Sequence, residues 1–120
     1  MAAPIGYDVR AALEGLANLD FKSLGDFNLG GVGVFRCGAG VSPWERHPDG
    51  DELLHVIEGA VDIEILDEQD SVTIQLEAGE LLIVPSGHWH RHVVADRLAE
   101  LYATSGTTEH STADDPRSEG

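Results

Sequence analysis

Residues 79–90 read GELLIVPSGHWH, and this stretch decides the fold class. A glycine turn precedes the apolar run 81–84, and the sequence Pro85-Ser86-Gly87 supplies a second turn directly after it. Short apolar runs bounded by such turn residues are typical of buried strands. His90 follows the second turn, so the turn should begin the next strand and direct the imidazole inward.

The flanking sequence extends this strand pattern in both directions. Val61, Ile63 and Ile65 alternate with acidic residues, and the apolar residues of the segment 72–76 alternate with polar ones. Such alternation is typical of a sheet with one buried face. Turn residues separate eight predicted strands, at 27–37, 43–47, 51–57, 60–66, 71–77, 80–85, 89–95 and 97–105. So many short strands predict an all-β sandwich or barrel, with a jelly roll among the options.

The two ends of the chain differ from this central region. Asp8 followed by VRAALEGLANL predicts a short N-terminal helix over residues 9–19, with Asp8 as its cap. The last residues are rich in Ser, Thr, Asp, Glu and Gly. We therefore predict a helical segment packed on the barrel (1–26), the barrel itself (27–105) and an extended polar tail (106–120).

Composition limits the partners and the compartment. The chain has 120 residues and a formal charge of −15, and Lys22 is its only lysine. Phosphate backbones and anionic lipids would repel such a surface, so we expect neither a nucleic-acid nor a membrane partner. Cys37 is the only cysteine, which excludes an internal disulfide. Because the first six residues lack the features of a signal peptide, we expect a single cytoplasmic domain.

A second stretch, WERHPDGDELLHVIEG at residues 44–59, carries further information. His47 lies five residues before Glu52, and Glu52 lies seven before Gly59. This spacing resembles the first motif of the cupin superfamily, in which a His-x-His pair precedes a glutamate and a glycine. The chain departs from that motif at Glu45, where the family has its first histidine.

The stretch 79–90 resembles the second cupin motif, with the same spacing. It departs only at the final position of that motif, where the family has asparagine and this chain has Val94. The matching positions are Gly79, Pro85, Gly87 and His90. The resemblance covers about residues 27 to 105 and implies a double-stranded β-helix, the jelly-roll barrel of cupins.

The resemblance also implies a site for one divalent transition metal, held by Glu45, His47, Glu52 and His90. His47, Glu52 and His90 form a 2-His-1-carboxylate set, the ligand type of non-haem Fe(II) oxygenases. Fe(II) is therefore favoured, and Mn, Ni, Zn or Cu would also fit. Glu45 would be a fourth ligand or a catalytic base that takes a proton from the substrate. An alternative alignment pairs His47 with Asp49, but it leaves one residue too few before Glu52.

The predicted function is a metal-dependent cupin acting on a small organic molecule, and a non-haem metal dioxygenase is favoured. The alternatives are a cupin that binds or senses a small molecule without turnover, and a cupin isomerase. A pocket role for His92 stays open, since it shares strand parity with His90. His55 has the opposite parity to Glu52 and is expected outside the barrel. We also expect a homodimer.

Overall fold

The computed structural model describes residues 4–119, except for the side chains of residues 118 and 119. One short helix, α1 (Val9–Leu13), precedes the strands of this part, and a 3₁₀ turn (Pro116–Glu119) follows them. The strands are β1 (Asp20–Phe27), β2 (Gly30–Val41), β3 (Trp44–Arg46), β4 (Glu52–Leu66), β5 (Ser71–Glu77), β6 (Leu81–Val84), β7 (His90–Thr104) and β8 (Glu109–Ser111). The all-β prediction is confirmed.

Two long strands, β4 and β7, curl the sheet into a barrel. Strand β7 pairs antiparallel with both β2 and β4, and β4 also pairs with β5 and β6. The short strand β3 lies between the start of β7 and β8, while β1 pairs with β2 at the edge. The start of β4 pairs with the end of β7, and the curl of the sheet brings the side chains at the starts of β4 and β7 together inside the barrel.

Each long strand joins two segments that the sequence predicts as separate strands. Gly59 has a φ of 80° and lies where the β4–β7 register shifts. A Cβ atom there would lie 2.1 Å from the carbonyl oxygen of Arg97, so only glycine fits the bend. The glycine read as a turn between two strands is therefore a bulge within one strand.

The two ends of the chain also differ from the prediction. The Asp8 side chain caps α1 by accepting from the backbone N–H of Ala11, but the helix ends at Leu13, not at residue 19. Glu14 is already extended, and Gly15 has a φ of 79°, which a continuing helix cannot adopt. Residues 20–26, predicted as part of the helical segment, belong to β1, and the predicted polar tail contains β8.

The apolar core lies between the two halves of the curled sheet. Its buried members come mainly from β4 and β7: Leu54, Val56, Val61, Ile63, Ile65, Leu76, Val84, Val94 and Leu98. A second, smaller cluster forms where Ala12 and Leu13 of α1 pack on Val34 and Ala99. Within residues 4–119, no helix is long and apolar enough to cross a membrane.

Candidate metal centre

Four predicted ligands come together at one end of the barrel. Glu45 lies on β3, His47 follows that strand, Glu52 begins β4 and His90 begins β7. Glu45 is directly opposite His90 in the β3–β7 register. One ligand atom from each of the four residues lies within 4.8 Å of the others. The structure thus assembles the predicted set, although its occupation by a metal stays a prediction.

The oxygen Oε1 of Glu52 lies at the centre of this cluster. It is 3.0 Å from Nε2 of His90 and 3.1 Å from Nε2 of His47. Oε1 of Glu45 is farther away, 3.7 Å from His90 Nε2. Glu52, His47 and His90 are buried, whereas the Glu45 side chain is 26% exposed. Glu45 is therefore the most accessible member of the set.

The second nitrogen of each histidine ring is occupied by a group outside the cluster. His90 Nδ1 donates to the carbonyl oxygen of His88 at 3.1 Å, because a carbonyl can only accept. His47 Nδ1 lies 3.0 Å from the hydroxyl of Thr108. Outer contacts of this kind fix the tautomer and the orientation of metal-binding histidines. Both rings are held with Nε2 toward the cluster.

At His90 this arrangement requires positive charge, because Nδ1 of that ring already carries a proton. In a neutral ring whose Nδ1 carries the proton, Nε2 has a lone pair and faces the Glu52 carboxylate, which is also an acceptor. The buried Nε2 of His47 has no hydrogen-bond partner of acceptable geometry among residues 4–119. A proton or a metal ion would satisfy these groups. Two imidazoles and two carboxylates are a donor set that suits a divalent transition metal.

Electrostatics at Glu52 follow from its neighbours. Burial alone would raise its pKa, but the contacts with His47 and His90 and a short hydrogen bond from the Thr104 hydroxyl lower the pKa to about 2. Burial alone would lower the pKa of His47, yet the Glu52 and Glu45 carboxylates raise it. Glu52 therefore stays ionised and can serve as an anionic ligand.

A second buried pair lies further along β7. His92 Nε2 is 2.8 Å from Oε2 of Glu100, and both side chains are buried. Burial alone would lower the pKa of His92, but the Glu100 carboxylate raises it. Burial raises the pKa of Glu100. The second oxygen of that carboxylate, Oε1, has no hydrogen-bond partner among residues 4–119.

A two-chambered cavity adjoins both buried groups. The outer chamber has a volume of about 390 Å³ and is mostly apolar, whereas the inner chamber of about 200 Å³ is lined by Glu45, His47 and Glu52 of the cluster. The chambers share Phe21, Phe35, Glu45, His92 and His110 in their walls. A small organic molecule in this cavity would lie beside the cluster.

The structure also places the other histidine, aspartate and cysteine residues considered in the sequence. His92 lines both chambers, whereas His55 is absent from the described walls of either. Asp49 accepts hydrogen bonds from Thr107 and is not part of the cluster, which excludes the alternative pairing of His47 with Asp49. Cys37 is half-buried and lines the outer chamber.

Sequence reasoning missed Phe21 and four polar residues of the site: Glu100, Thr104, Thr108 and His110. Glu100 could have been found from the sequence, because it shares strand parity with Leu98 and Tyr102 and should face the barrel interior with them. Thr108 and His110 lie in the segment predicted as a tail. No periodicity marks a three-residue strand such as β8.

Comparison with known proteins agrees with this geometry. The sequence model of a family described as "Cupin domain" matches residues 32–109. The chain belongs to the cupin family. A relative of this cupin, the uncharacterized protein YdbB of Bacillus subtilis, is 42% identical over 48 residues, a match that spans 40% of each chain. The chain thus matches less than half the length of this curated relative.

Solved structures show the same fold at low sequence identity. An uncharacterized Klebsiella pneumoniae protein with a double-stranded β-helix domain is 16% identical, with a TM-score of 0.67 over 91% of this cupin and 98% of that chain. A hydroquinone 1,2-dioxygenase from Sphingomonas sp. TTNP3, solved with 4-hydroxybenzoate bound, is 17% identical, with a TM-score of 0.64 over 83% of this cupin and 74% of that chain. The predicted double-stranded β-helix is confirmed.

Proposed function

We propose that this cupin is a metal-dependent enzyme of the dioxygenase type that acts on a small organic molecule. Glu45, His47, Glu52 and His90 would hold one divalent transition metal, with Fe(II) favoured over Mn, Ni, Zn and Cu. One observation carries the proposal: four ligand atoms lie within 4.8 Å of one another beside a cavity large enough for an organic molecule.

The ligand atoms of the cluster and the fold that this chain shares with a dioxygenase support this proposal. A metal held here would supply Lewis-acid chemistry and, in the case of iron, redox chemistry. Glu45 is the least buried of the four and lines both chambers, so its carboxylate can also accept a proton from a phenolic or enolic substrate. The hydroquinone dioxygenase of similar fold makes phenols a reasonable first substrate class.

Oxygen consumption tests the proposal directly. The Fe(II)-loaded protein should consume dioxygen with at least one member of a panel of hydroquinones, flavonols, thiols and β-diketones. His47→Ala should abolish the consumption, whereas His55→Ala, on the same segment but away from the cavity, should retain it. Iron-loaded protein that is inactive with the whole panel would contradict a dioxygenase and favour a cupin that binds or senses a small molecule.

The buried His92–Glu100 pair favours a second candidate, a cupin isomerase. An imidazole held by a carboxylate can accept and return a proton without a metal. Such an enzyme would exchange a substrate proton with deuterated solvent in the presence of chelator and without dioxygen. Proton exchange that is lost on metal removal would exclude this candidate.

A homodimer through β1 is also proposed. Strand β1 is at the edge of the sheet, and the turn that follows it exposes Leu29 almost completely, at 96%, with Phe27 beside it. An edge strand beside exposed apolar side chains is suited to pairing with a second copy. Light scattering should give about twice the 12.8 kDa chain mass. Leu29→Glu should shift the measured mass toward that of the monomer, whereas Val72→Glu on β5 should not.

A further inference from the structure

The cavity walls carry information about the ligand. Phe21 and Phe35 stack with their ring centroids 5.0 Å apart, and Tyr102 lies 6.3 Å from each of them. The His92 ring meets Phe35 edge to face at 5.6 Å. Phe21, Phe35 and His92 line both chambers, so one aromatic wall runs from the outer chamber to the clustered ligands. Aromatic walls of this kind favour a flat, apolar ring.

The charges around the cavity disfavour an anionic ligand. Glu45, Glu52 and Glu100 line the inner chamber, and neither a lysine nor an arginine is among the described side chains of either wall. Two carboxylate ligands carry as much negative charge as a divalent cation carries positive charge, so a filled site would be close to neutral. The chain as a whole has a formal charge of −15 and would repel an approaching anion.

One buried acceptor faces no protein donor. Glu100 is fully buried and lines the inner chamber, and His92 fixes its carboxylate through Oε2. Its Oε1 lacks a hydrogen-bond partner among residues 4–119. Because a buried polar oxygen without a partner is costly, a ligand hydroxyl or N–H that reached it would bind strongly.

We infer that the ligand is an uncharged aromatic compound that carries a hydroxyl or amino group, which donates to Oε1 of Glu100 while the ring packs against Phe21 and Phe35. Glu100 would then be the residue that determines specificity, with His92 holding it in place. The inference rests on the proposed function for the role of the neighbouring metal, but the ring and donor subsites are formed by the protein alone.

Three small compounds of similar shape test the inference on the wild-type protein: p-cresol, 4-methylanisole and 4-methylbenzoate. Zinc-loaded protein is used because zinc is redox-inert, and binding is followed by NMR shifts of the Phe35 and Val94 amides. p-Cresol should bind at least about tenfold more tightly than 4-methylanisole, because the ether lacks the donor. 4-Methylbenzoate should bind more weakly still.

A matched pair of variants locates the subsite. Glu100→Gln should reduce the preference for p-cresol over 4-methylanisole by about tenfold and relax the rejection of 4-methylbenzoate. Glu64→Gln, which removes a carboxylate that pairs with Arg91 away from the cavity walls, should change neither. Equal binding of the three compounds to the wild type would overturn the inference, whether or not the variants fold.

The same titrations separate this inference from the proposed function. They are repeated in chelator, and zinc content is measured alongside. Protein that binds neither zinc nor Fe(II) but still prefers p-cresol would refute the metal-dependent function and keep the ligand class. Protein that binds zinc but prefers the carboxylate would refute the ligand class and keep the metal site.

Discussion

Two buried groups of histidine and carboxylate share the interior of this barrel and differ in what they leave unsatisfied. At the cluster of Glu45, His47, Glu52 and His90, two rings turn Nε2 toward one carboxylate oxygen, and their Nδ1 atoms are occupied from outside. In the His92–Glu100 pair, one imidazole meets one carboxylate at 2.8 Å, and a single oxygen remains.

The difference shows how similar side chains acquire separate roles. Four donors that converge on one point suit a cation, whereas a closed pair with one spare acceptor suits a hydrogen-bond donor. The pKa shifts follow the same division, because the pKa of Glu52 is lowered and that of Glu100 is raised. The cluster is thus a candidate ion site and the pair a candidate ligand contact.

The largest effect is expected from breaking the closed pair. His92→Ala would leave Glu100 buried without its partner, and such a loss costs about 3–5 kcal/mol of folding free energy. His92→Gln keeps an N–H donor and should recover much of that loss. Urea denaturation of the metal-free variants measures both values. A cost below about 1 kcal/mol for His92→Ala would show that the pair is not a stabilising unit.

Low pH should change the stability contributions of Glu52 and Glu100 in different ways. Because folding lowers the pKa of Glu52 from 4.5 to about 2, its contribution is present above pH 4.5 and is lost as the pH falls toward 2. The shift corresponds to about 3 kcal/mol. In metal-free protein, Glu52→Gln should flatten the fall in stability over this window.

Glu100→Gln is the control for the acid experiment. The pKa of Glu100 is raised, so this carboxylate does not add to the loss of stability at low pH in the way that Glu52 does. Urea midpoints measured between pH 5 and pH 2.5 give the comparison. If the stability of Glu52→Gln falls at low pH as steeply as that of the wild type, the lowered pKa of Glu52 would be contradicted.

Metal removal should lower the stability of the protein through the four-residue cluster and leave the His92–Glu100 pair intact. A metal at about 100 times its dissociation constant stabilises the native state by about 2.7 kcal/mol, so chelator should lower the Tm by roughly 10 °C. His90→Ala should abolish this difference, whereas His92→Gln should retain it. If loaded protein melts at the same temperature with and without chelator, the bound ion does not belong to a native site.

The smallest expected effect concerns Glu45, the accessible member of the cluster. Glu45→Gln should weaken metal affinity by about ten- to a hundredfold, the range for loss of a supporting group. Glu45→His would restore the usual cupin histidine and should shift preference from Mn and Fe(II) toward Ni, Cu or Zn. Isothermal titration with each metal measures both. An unchanged affinity in Glu45→Gln would remove Glu45 from the ligand set.

Much of this site could be predicted from sequence, because three of its four candidate ligands, His47, Glu52 and His90, lie where strands begin or end. Pro85-Ser86-Gly87 ends β6 and fixes the start of β7, and so the direction of His90. The motif spacing predicted Glu52 in the same way. These residues are defined by local chain geometry, which sequence patterns report well.

The remainder depends on contacts between distant segments. Thr108 reaches His47 only because β8 returns to pair with β3, and three residues carry too little pattern to predict a strand. Glu100 meets His92 across the part of β7 between Val94 and Arg97, where the register with β2 shifts, and the sequence predicts two separate strands there. The helix ends early, at Leu13, because the extended Glu14 and the positive φ of Gly15 outweigh an apolar periodicity that continues to Leu19.

Metal content of tag-free protein purified without added metal tests the central claim most directly. Elemental analysis should give close to one divalent transition metal per chain for the wild type and for His92→Gln, and almost none for His90→Ala. Iron in the wild type would agree with the dioxygenase proposal. Metal that stays substoichiometric in the wild type after incubation with Fe(II), Mn, Ni, Cu or Zn, or equal metal in His90→Ala, would contradict a metal site formed by these four residues.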